Sequence, residues 1–269
     1  MEKDTQLSLN RLFHYTHSLE NLVGILTHGF QIRYSLEKLG LFEETISITD
    51  EFAFPVVCFC DIPLNLVNQH IKVYGKYAIG LSKTWGEQQA MCPIFYLPKE
   101  AESKIILESI AKNIHGNSVH LRDIFNSLSG TNNKKVISQV INLYDQLIDL
   151  MMFIKPYMGY YERKSTGFKE SNYKFYDERE WRYKPNRFLI TKSYLTKEEF
   201  LDYKRDASRN EGVGFIDFSS DDITDIIVPA DEVEKVIREL LKIDKLKDFK
   251  FKITTFTIEA DRLAVISKI

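Results

Sequence analysis

The sequence has little of what loop-rich, secreted or membrane-spanning proteins are made from. Only 12 glycines and 7 prolines occur among its 269 residues, which argues against a loop-rich scaffold. No apolar run approaches the roughly 20 residues of a membrane-spanning helix, and the polar segment Met1–Arg11 lacks the apolar core of a secretion signal. We therefore expect a cytoplasmic protein that makes no contact with a membrane.

Neither sign of charge is in large excess over the other. The net charge is -2, whereas a constitutive nucleic-acid binder usually carries a basic excess, so the balance weakens that class of function. Basic residues do cluster in residues 192–197 and 242–252. Solvated helix and strand faces explain those clusters better than a nucleic-acid surface does.

The chain has only three cysteines, an odd number that, without a secretion signal, indicates a reducing compartment. Cys58 and Cys60 would point to the same face of a strand, so they could bind a metal in principle. A zinc site needs about four ligands, however, and no second pair stands at a suitable spacing. We expect small core residues here and no metal.

The chain contains enough apolar residues for the core of one large domain, and their spacing differs between its parts. Hydrophobic residues make up 44% of the chain. Strand-like segments lie towards both ends, whereas helical spacing dominates residues 99–157. The glycine motifs of Rossmann and P-loop proteins do not occur. These patterns predict a single α+β domain over residues 1–269 with a helical insertion at residues 99–157.

Local signals refine this prediction. Ser18 is a suitable N-cap for a helix that Gly29 would end. Residues 31–54 and 127–135 are expected to be loops, and Met151–Met152 to be core filler. The predicted strands are Leu12–Thr16, Phe54–Cys60, Tyr77–Leu81, Ile94–Leu97, Trp181–Tyr183, Phe188–Ile190, Ile223–Val228 and Phe249–Ile258.

The first candidate site lies on the opening strand. His14 and Thr16 are two residues apart, so on a strand both side chains point to one face. An imidazole beside a hydroxyl can hydrogen-bond a ribose diol or an amide. The alternative is a strand whose polar residues simply face solvent.

The second candidate site is the charged segment Asp177–Tyr183. Glu178, Glu180 and Arg182 alternate with other residues, so a strand would place two carboxylates and one guanidinium on the same face. A carboxylate beside a cleft can stabilise developing positive charge, such as an oxocarbenium-like sugar cation. The alternative is an edge strand with its charges in water.

The third candidate site follows the apolar strand that ends at Cys60. His70, Tyr74 and Tyr77 can stack on a heteroaromatic ligand or hydrogen-bond to it. The alternative is a strand and a helix whose aromatic residues belong to the core.

Together, and in this order, the three segments resemble known families. The His14-Tyr15-Thr16 strand with its following helix resembles the opening of ADP-ribosyltransferase-like proteins, including DNA-modifying toxins of the DarT type. The resemblance to the AbiGi family of phage-resistance proteins and to the related DUF2971 group covers most of the chain outside residues 99–157. It is carried by Val57–Leu64, His70–Leu81, Arg179–Arg182 and Ile226–Pro229.

The resemblance implies a split β-sheet core of the ADP-ribosyltransferase type and NAD as a substrate. His14 would bind the NAD ribose with help from Thr16, and Glu180 would organise the reacting centre. Tyr74 or Tyr77 would lie near the nicotinamide, and Arg182 would hold the pyrophosphate. Tyr15 is a further implied cofactor contact. AbiGi proteins are also described as antitoxins of a two-gene phage-defence system with a nucleotidyltransferase-like toxin.

Three functions therefore stay open at the level of sequence. The first is transfer of ADP-ribose from NAD to a nucleic-acid or protein acceptor, with Glu180 and His14 as catalytic residues. The second is a non-catalytic antitoxin or regulator that binds a co-encoded toxin, or a phage component, through the helical block at residues 99–157. The third is a nucleic-acid-binding regulator, whose binding would weaken with salt.

Overall fold

The protein is described by a computed structural model over residues 10–38, 51–110, 131–163, 166–186, 190, 192–206, 213–247, 251–258 and 261–268. The helices are α1 Leu19–His28, α2 Asn68–Tyr74, α3 Lys83–Gln88, α4 at residues 102–110, α5 Thr131–Met151, α6 Lys197–Arg205 and α7 Val233–Leu240. The strands are β1 Arg11–Thr16, β2 Phe30–Lys38, β3 Glu51–Cys60, β4 Tyr77–Ser82, β5 Cys92–Pro93, β6 Phe95–Leu97, β7 Ile154–Pro156, β8 Gly159–Arg163, β9 Phe168–Tyr173, β10 Glu180–Tyr183, β11 Leu195–Thr196, β12 Gly214–Ile216, β13 Ile223–Pro229, β14 Phe251–Ile258 and β15 Asp261–Lys268.

One large antiparallel sheet organises the described residues, with helices packed on it. Hydrogen-bonded neighbours in the sheet follow the order β12-β2-β3-β1-β4-β13-β15-β14. In addition, β10 and β11 pair with β3, and β5 pairs with β10. The long strand β3 pairs with β2 and β11 along its first half and with β10 and β1 at its end. The predicted combination of α and β elements is therefore correct at the level of a mixed fold.

The central strands bury apolar side chains on both faces because each residue points opposite to its neighbour. Leu12 packs with Leu22 of α1 and Trp85 of α3 on one face, called here the α1 face. Phe13 and Tyr15 pack with residues of α2 on the other face, called here the α2 face. A side chain on β1 is thus assigned to a face by its position in the alternation.

The first helix confirms its predicted boundaries. The Ser18 hydroxyl caps α1 by accepting a hydrogen bond from the backbone N–H of Asn21 at 3.2 Å. Gly29 follows the helix with a φ of 89°, and its N–H donates to the carbonyl of Ile25. A Cβ at Gly29 would lie 2.5 Å from the carbonyl oxygen of Ile216, so only glycine fits where β12 approaches.

Two of the predicted loops are wrong in part. Residues 31–54 contain most of β2 and the start of β3, and the burial in β2 alternates over Phe30, Ile32 and Tyr34. That alternation was present in the sequence and specifies a strand. Helix α5 already begins at Thr131, inside the predicted loop 127–135. Of the predicted strand Phe188–Ile190, residues 188 and 189 lie outside the described residues.

The described C-terminal part of the block at residues 99–157 packs against the sheet. Met151 and Met152 are fully buried against Phe52 and Phe54 of β3, which confirms their prediction as core residues. Strand β7 pairs in parallel with β6, so the end of this block returns to the main body. Across the described part of the chain, no helix combines the length and apolarity needed to cross a membrane.

Candidate functional site

The charged residues of β10 belong to a buried group that we call the ionic cluster, formed by Glu37, Lys155, Glu178, Glu180 and Arg182. The Nζ atom of Lys155 lies 2.8 Å from Oε2 of Glu178 and 2.7 Å from Oε2 of Glu180. Nε of Arg182 lies 2.6 Å from Oε1 of Glu180, and its Nη2 donates to both carboxylate oxygens of Glu37 at 2.8 Å. The guanidinium also donates to the backbone oxygen of Met152.

The backbone brings the two glutamates together in a way that alternation did not predict. Glu178 ends a 3-10 turn, Phe175–Glu178, and Arg179 then adopts a left-handed conformation with a φ of 44°. Strand β10 starts only at Glu180. The prediction that both carboxylates share a strand face is therefore wrong, although both reach Lys155.

Strand β10 is not an edge strand with its charges in water. It pairs with β3 on one side and with β5 on the other. Glu178 and Glu180 are 3% and 5% exposed, and Arg182 is completely buried. Charges this deep are tolerated only when they are paired and hydrogen-bonded, which the ionic cluster achieves.

Neighbouring charges keep Glu180 and Lys155 of the ionic cluster ionised. Burial by itself raises the pKa of Glu180, but Arg182 and Lys155 outweigh burial and hold that pKa well below its ordinary value. Burial also lowers the pKa of Lys155, yet Glu178 and Glu180 raise it to well above the usual range. Glu180 and Lys155 are therefore both ionised at neutral pH.

Tyrosines close the ionic cluster from the side of α2. The hydroxyls of Tyr74 and Tyr173 both donate to Oε1 of Glu178, at 2.7 and 3.1 Å. The hydroxyl of Tyr161 lies 3.3 Å from that of Tyr74. The hydroxyl of Tyr96 accepts the backbone N–H of Glu180 at 2.9 Å. Both glutamates are thus surrounded by partners from the protein itself.

Two further polar side chains lie beside this cluster on the α2 face. The ring of His70 is 4.4 Å from the ring of Tyr74 and 4.9 Å from that of Tyr15, measured between centroids. The hydroxyl of Tyr15 is buried and has no hydrogen-bond partner among the described residues. Burial lowers the pKa of His70 to about 3, so its ring is neutral at physiological pH.

We expect acid to destabilise the protein through His70. The unfolded chain binds a proton at His70 below pH 6.5, whereas the folded chain does not until about pH 3. Stability should therefore fall as the pH drops from 6.5 towards 3, by at most about 1.4 kcal/mol per pH unit from this residue. Urea titrations at several pH values should show a shallower fall for His70→Gln than for the wild type. An equally steep fall for His70→Gln would show that His70 is already protonated in the folded protein. His28→Gln, at an exposed position at the end of α1, is the matched control.

The predicted ligands on β1 lie elsewhere. Nδ1 of His14 donates to the carbonyl oxygen of Cys58 at 2.8 Å, and the ring packs edge-on against those of Phe30 and Phe59. Phe59 pairs directly with Trp181, and residues paired in this way share a face. His14 therefore lies on the α1 face, whereas Glu180 lies on the α2 face.

The structure divides the sequence-predicted site residues into two groups. Thr16 joins His14 on the α1 face, where the Tyr77 hydroxyl donates to Oε1 of Glu232 at 2.6 Å. The members of the second group share the α2 face, and they are Tyr15, Tyr74, Glu180 and Arg182. The predicted common face of His14 and Thr16 is confirmed, but these two residues do not meet Glu180.

Sequence reasoning missed the cation at the centre of the site. Lys155 stands alone between Ile154 and Pro156 in a short strand, with no spacing that marks a ligand. Glu37 ends the alternating pattern of β2, so recognising that strand could have found it. Among the described residues, no group of three or more His, Cys, Asp or Glu side chains could hold a metal ion.

Comparison with known proteins places these elements in a family. A family model described as "Putative abortive phage resistance protein AbiGi, antitoxin" matches residues 28–229, a range that contains the whole ionic cluster. A curated relative from Lactococcus lactis subsp. cremoris, "Abortive phage resistance protein AbiGi", is 28% identical over an alignment of 164 positions, which covers 56% of this chain. Those residues are 59% of the relative, so the chain spans about three fifths of its length. No solved structure matches. Because the family model covers most of the chain, this protein belongs to the AbiGi family.

Proposed function

We propose that this protein acts in phage resistance as a non-catalytic antitoxin, which binds and neutralises a toxin encoded beside it. The closed ionic cluster carries this proposal, because Glu178 and Glu180 are already engaged by Lys155 and Arg182. A buried carboxylate of this kind must lose a strong partner before it can act on a substrate. The antitoxin description of the family and the phage-resistance name of the relative support the same function.

Transfer of ADP-ribose from NAD is the second candidate function. It is favoured by the grouping of Tyr15, Tyr74, Glu180 and Arg182 on one face, next to a buried hydroxyl without a partner. It also needs a ligand for the NAD ribose on that face, and His14 lies on the opposite one. This placement favours the antitoxin. The proposed relationship to DarT-type and DUF2971 proteins depends on the transferase activity.

Growth of a host that expresses both genes tests the antitoxin. The toxin gene and this chain are placed under separate inducible promoters, and colony counts are compared with either protein alone. We expect the toxin alone to arrest growth, and the chain to restore growth and to co-purify with the toxin. Glu180→Gln should still restore growth provided that its thermal midpoint shows a folded protein, because the carboxylate has no catalytic task in an antitoxin.

The opposite pattern would establish the enzyme. Growth arrest by this chain alone, with loss of cellular NAD that Glu180→Gln abolishes, would overturn the antitoxin and support ADP-ribose transfer. Calorimetric titration of the purified chain with NAD, alongside His14→Ala, gives an independent readout. We expect His14→Ala to give the same heat of binding as the wild type, because His14 has no cofactor to hold in an antitoxin.

A further inference from the structure

A groove separate from the ionic cluster opens on the α2 face above the C-terminal strands. It has a volume of about 620 Å³, within the roughly 300–1,000 Å³ of small-molecule sites. Strands β13, β15 and β14 form its floor, and the 3-10 turn Leu64–Leu66 with the start of α2 forms a wall. The lining combines one cation, several hydroxyls and an apolar side.

Asp225 holds the cation of this groove in place. The carboxylate is fully buried, its Oδ2 lies 2.7 Å from Nη1 of Arg11, and its Oδ1 accepts from the Ser267 hydroxyl at 2.6 Å. A buried carboxylate needs such partners, so the ion pair with Asp225 favours a guanidinium held at this end of the groove. The groove thus has a preorganised cation.

A β-bulge in β13 explains why the side chain of Asp225 points towards the groove. The pairing of β13 with β4 shifts in register between Ile223 and Asp225, so one residue is extra. As a result, Ile223 and Ile226 both pack into the core of the α1 face, while Asp225 points to the α2 face with Ile227. Bulges commonly redirect a side chain in this way beside binding sites.

The guanidinium of Arg11 keeps donors for a ligand. It carries five N–H donors, and its side chain is 41% exposed although Nη1 contacts Asp225. Asp225 has no exposed surface, so the guanidinium is the charged group of this ion pair that a ligand would contact. A planar guanidinium presented in this way suits the paired oxygens of a phosphoryl or carboxylate group.

The rest of the groove indicates a larger ligand than an inorganic ion. Leu64, Ile258 and Val265 give it an apolar side, and Thr254 and Thr257 line the space between. A phosphate ion would leave most of 620 Å³ empty. We propose that the groove binds a small organic anion, with its oxyanion on Arg11 and its apolar part against Leu64 and Ile258. This site is independent of the proposed antitoxin function.

Thermal unfolding and calorimetry of the purified chain test the site with AMP, pyrophosphate and adenosine as probes. We expect AMP and pyrophosphate to raise the unfolding midpoint in a saturable manner, and adenosine to leave it unchanged. Arg11→Gln should weaken AMP binding by roughly tenfold or more, because charge-assisted hydrogen bonds are lost. Arg262→Gln, on the opposite face of β15, is the matched control and should bind AMP like the wild type.

A second variant covers the case in which Arg11→Gln fails to fold beside Asp225. Thr254→Trp fills the groove from an exposed position and leaves the ion pair intact, and it should also lose AMP binding. The proposal is overturned if AMP and pyrophosphate have no effect on the wild type, if adenosine equals AMP, or if Thr254→Trp binds AMP unchanged. None of these results depends on a toxin.

Discussion

Replacing Arg182 by glutamine is expected to lower the free energy of unfolding by about 3–5 kcal/mol, a large part of the stability of a typical domain. Arg182 is completely buried and pairs with both Glu180 and Glu37. Without the guanidinium, Glu37 and Glu180 lose this partner, and Lys155 is the remaining cation of a cluster with three carboxylates. Urea denaturation followed by circular dichroism measures the change.

The control for this experiment is an exposed arginine with one acidic partner. Arg205 pairs with Asp202 on α6, where both side chains are more than two thirds exposed, at 76% and 69%. Arg205→Gln should hardly change the unfolding midpoint because solvent screens such pairs. If Arg182→Gln were as mild as Arg205→Gln, the ionic cluster would not be buried as described.

Replacing Gly75 by alanine is expected to lower the free energy of unfolding by roughly 2–5 kcal/mol. Gly75 ends α2 with a φ of 103°, and an added Cβ would lie 2.2 Å from the carbonyl oxygen of Thr16. Both the strained conformation and the collision with the β1 backbone oppose the change. Because α2 carries Tyr74, a shift of this helix would also remove a donor from Glu178.

Gly24 provides the matched control with an effect of opposite sign. It lies inside α1, and a Cβ added there would meet nothing within 4 Å. Gly24→Ala should therefore raise the free energy of unfolding by about 0.5–1 kcal/mol, because alanine loses less backbone entropy in a helix. Thermal and urea unfolding of both variants would reveal the contrast. A stable, fully folded Gly75→Ala protein would contradict the close approach of α2 to β1.

Local signals in the sequence predicted local structure well. Ser18 and Gly29 bound α1 because caps act through neighbouring backbone groups. The apolar run of β3 and the helical spacing of α5 also specify their elements, since a period depends only on nearby residues. The missed strand β2 had the correct alternation, but its exposed polar positions made it resemble a loop.

The arrangement of the candidate site could not be predicted in the same way. Which face of the sheet a residue occupies depends on strand pairing, and that pairing placed His14 opposite to Glu180. The position of Glu178 depends on the left-handed Arg179, a conformation uncommon outside glycine. Lys155 reaches both glutamates only because β7 pairs with β6, a contact between distant parts of the chain.

The order of the strands has a consequence for how the protein is made. Strand β4 takes its second neighbour, β13, from late in the sequence, and β13 in turn pairs with β15. The ribosome needs roughly 10–40 seconds to add the residues between Ser82 and Asp261 at about 5–20 residues per second. Until then the cluster on the α2 face that contains Phe13 lacks Leu263. The speed of translation therefore sets how long the nascent chain presents an open strand edge to chaperones and to other chains.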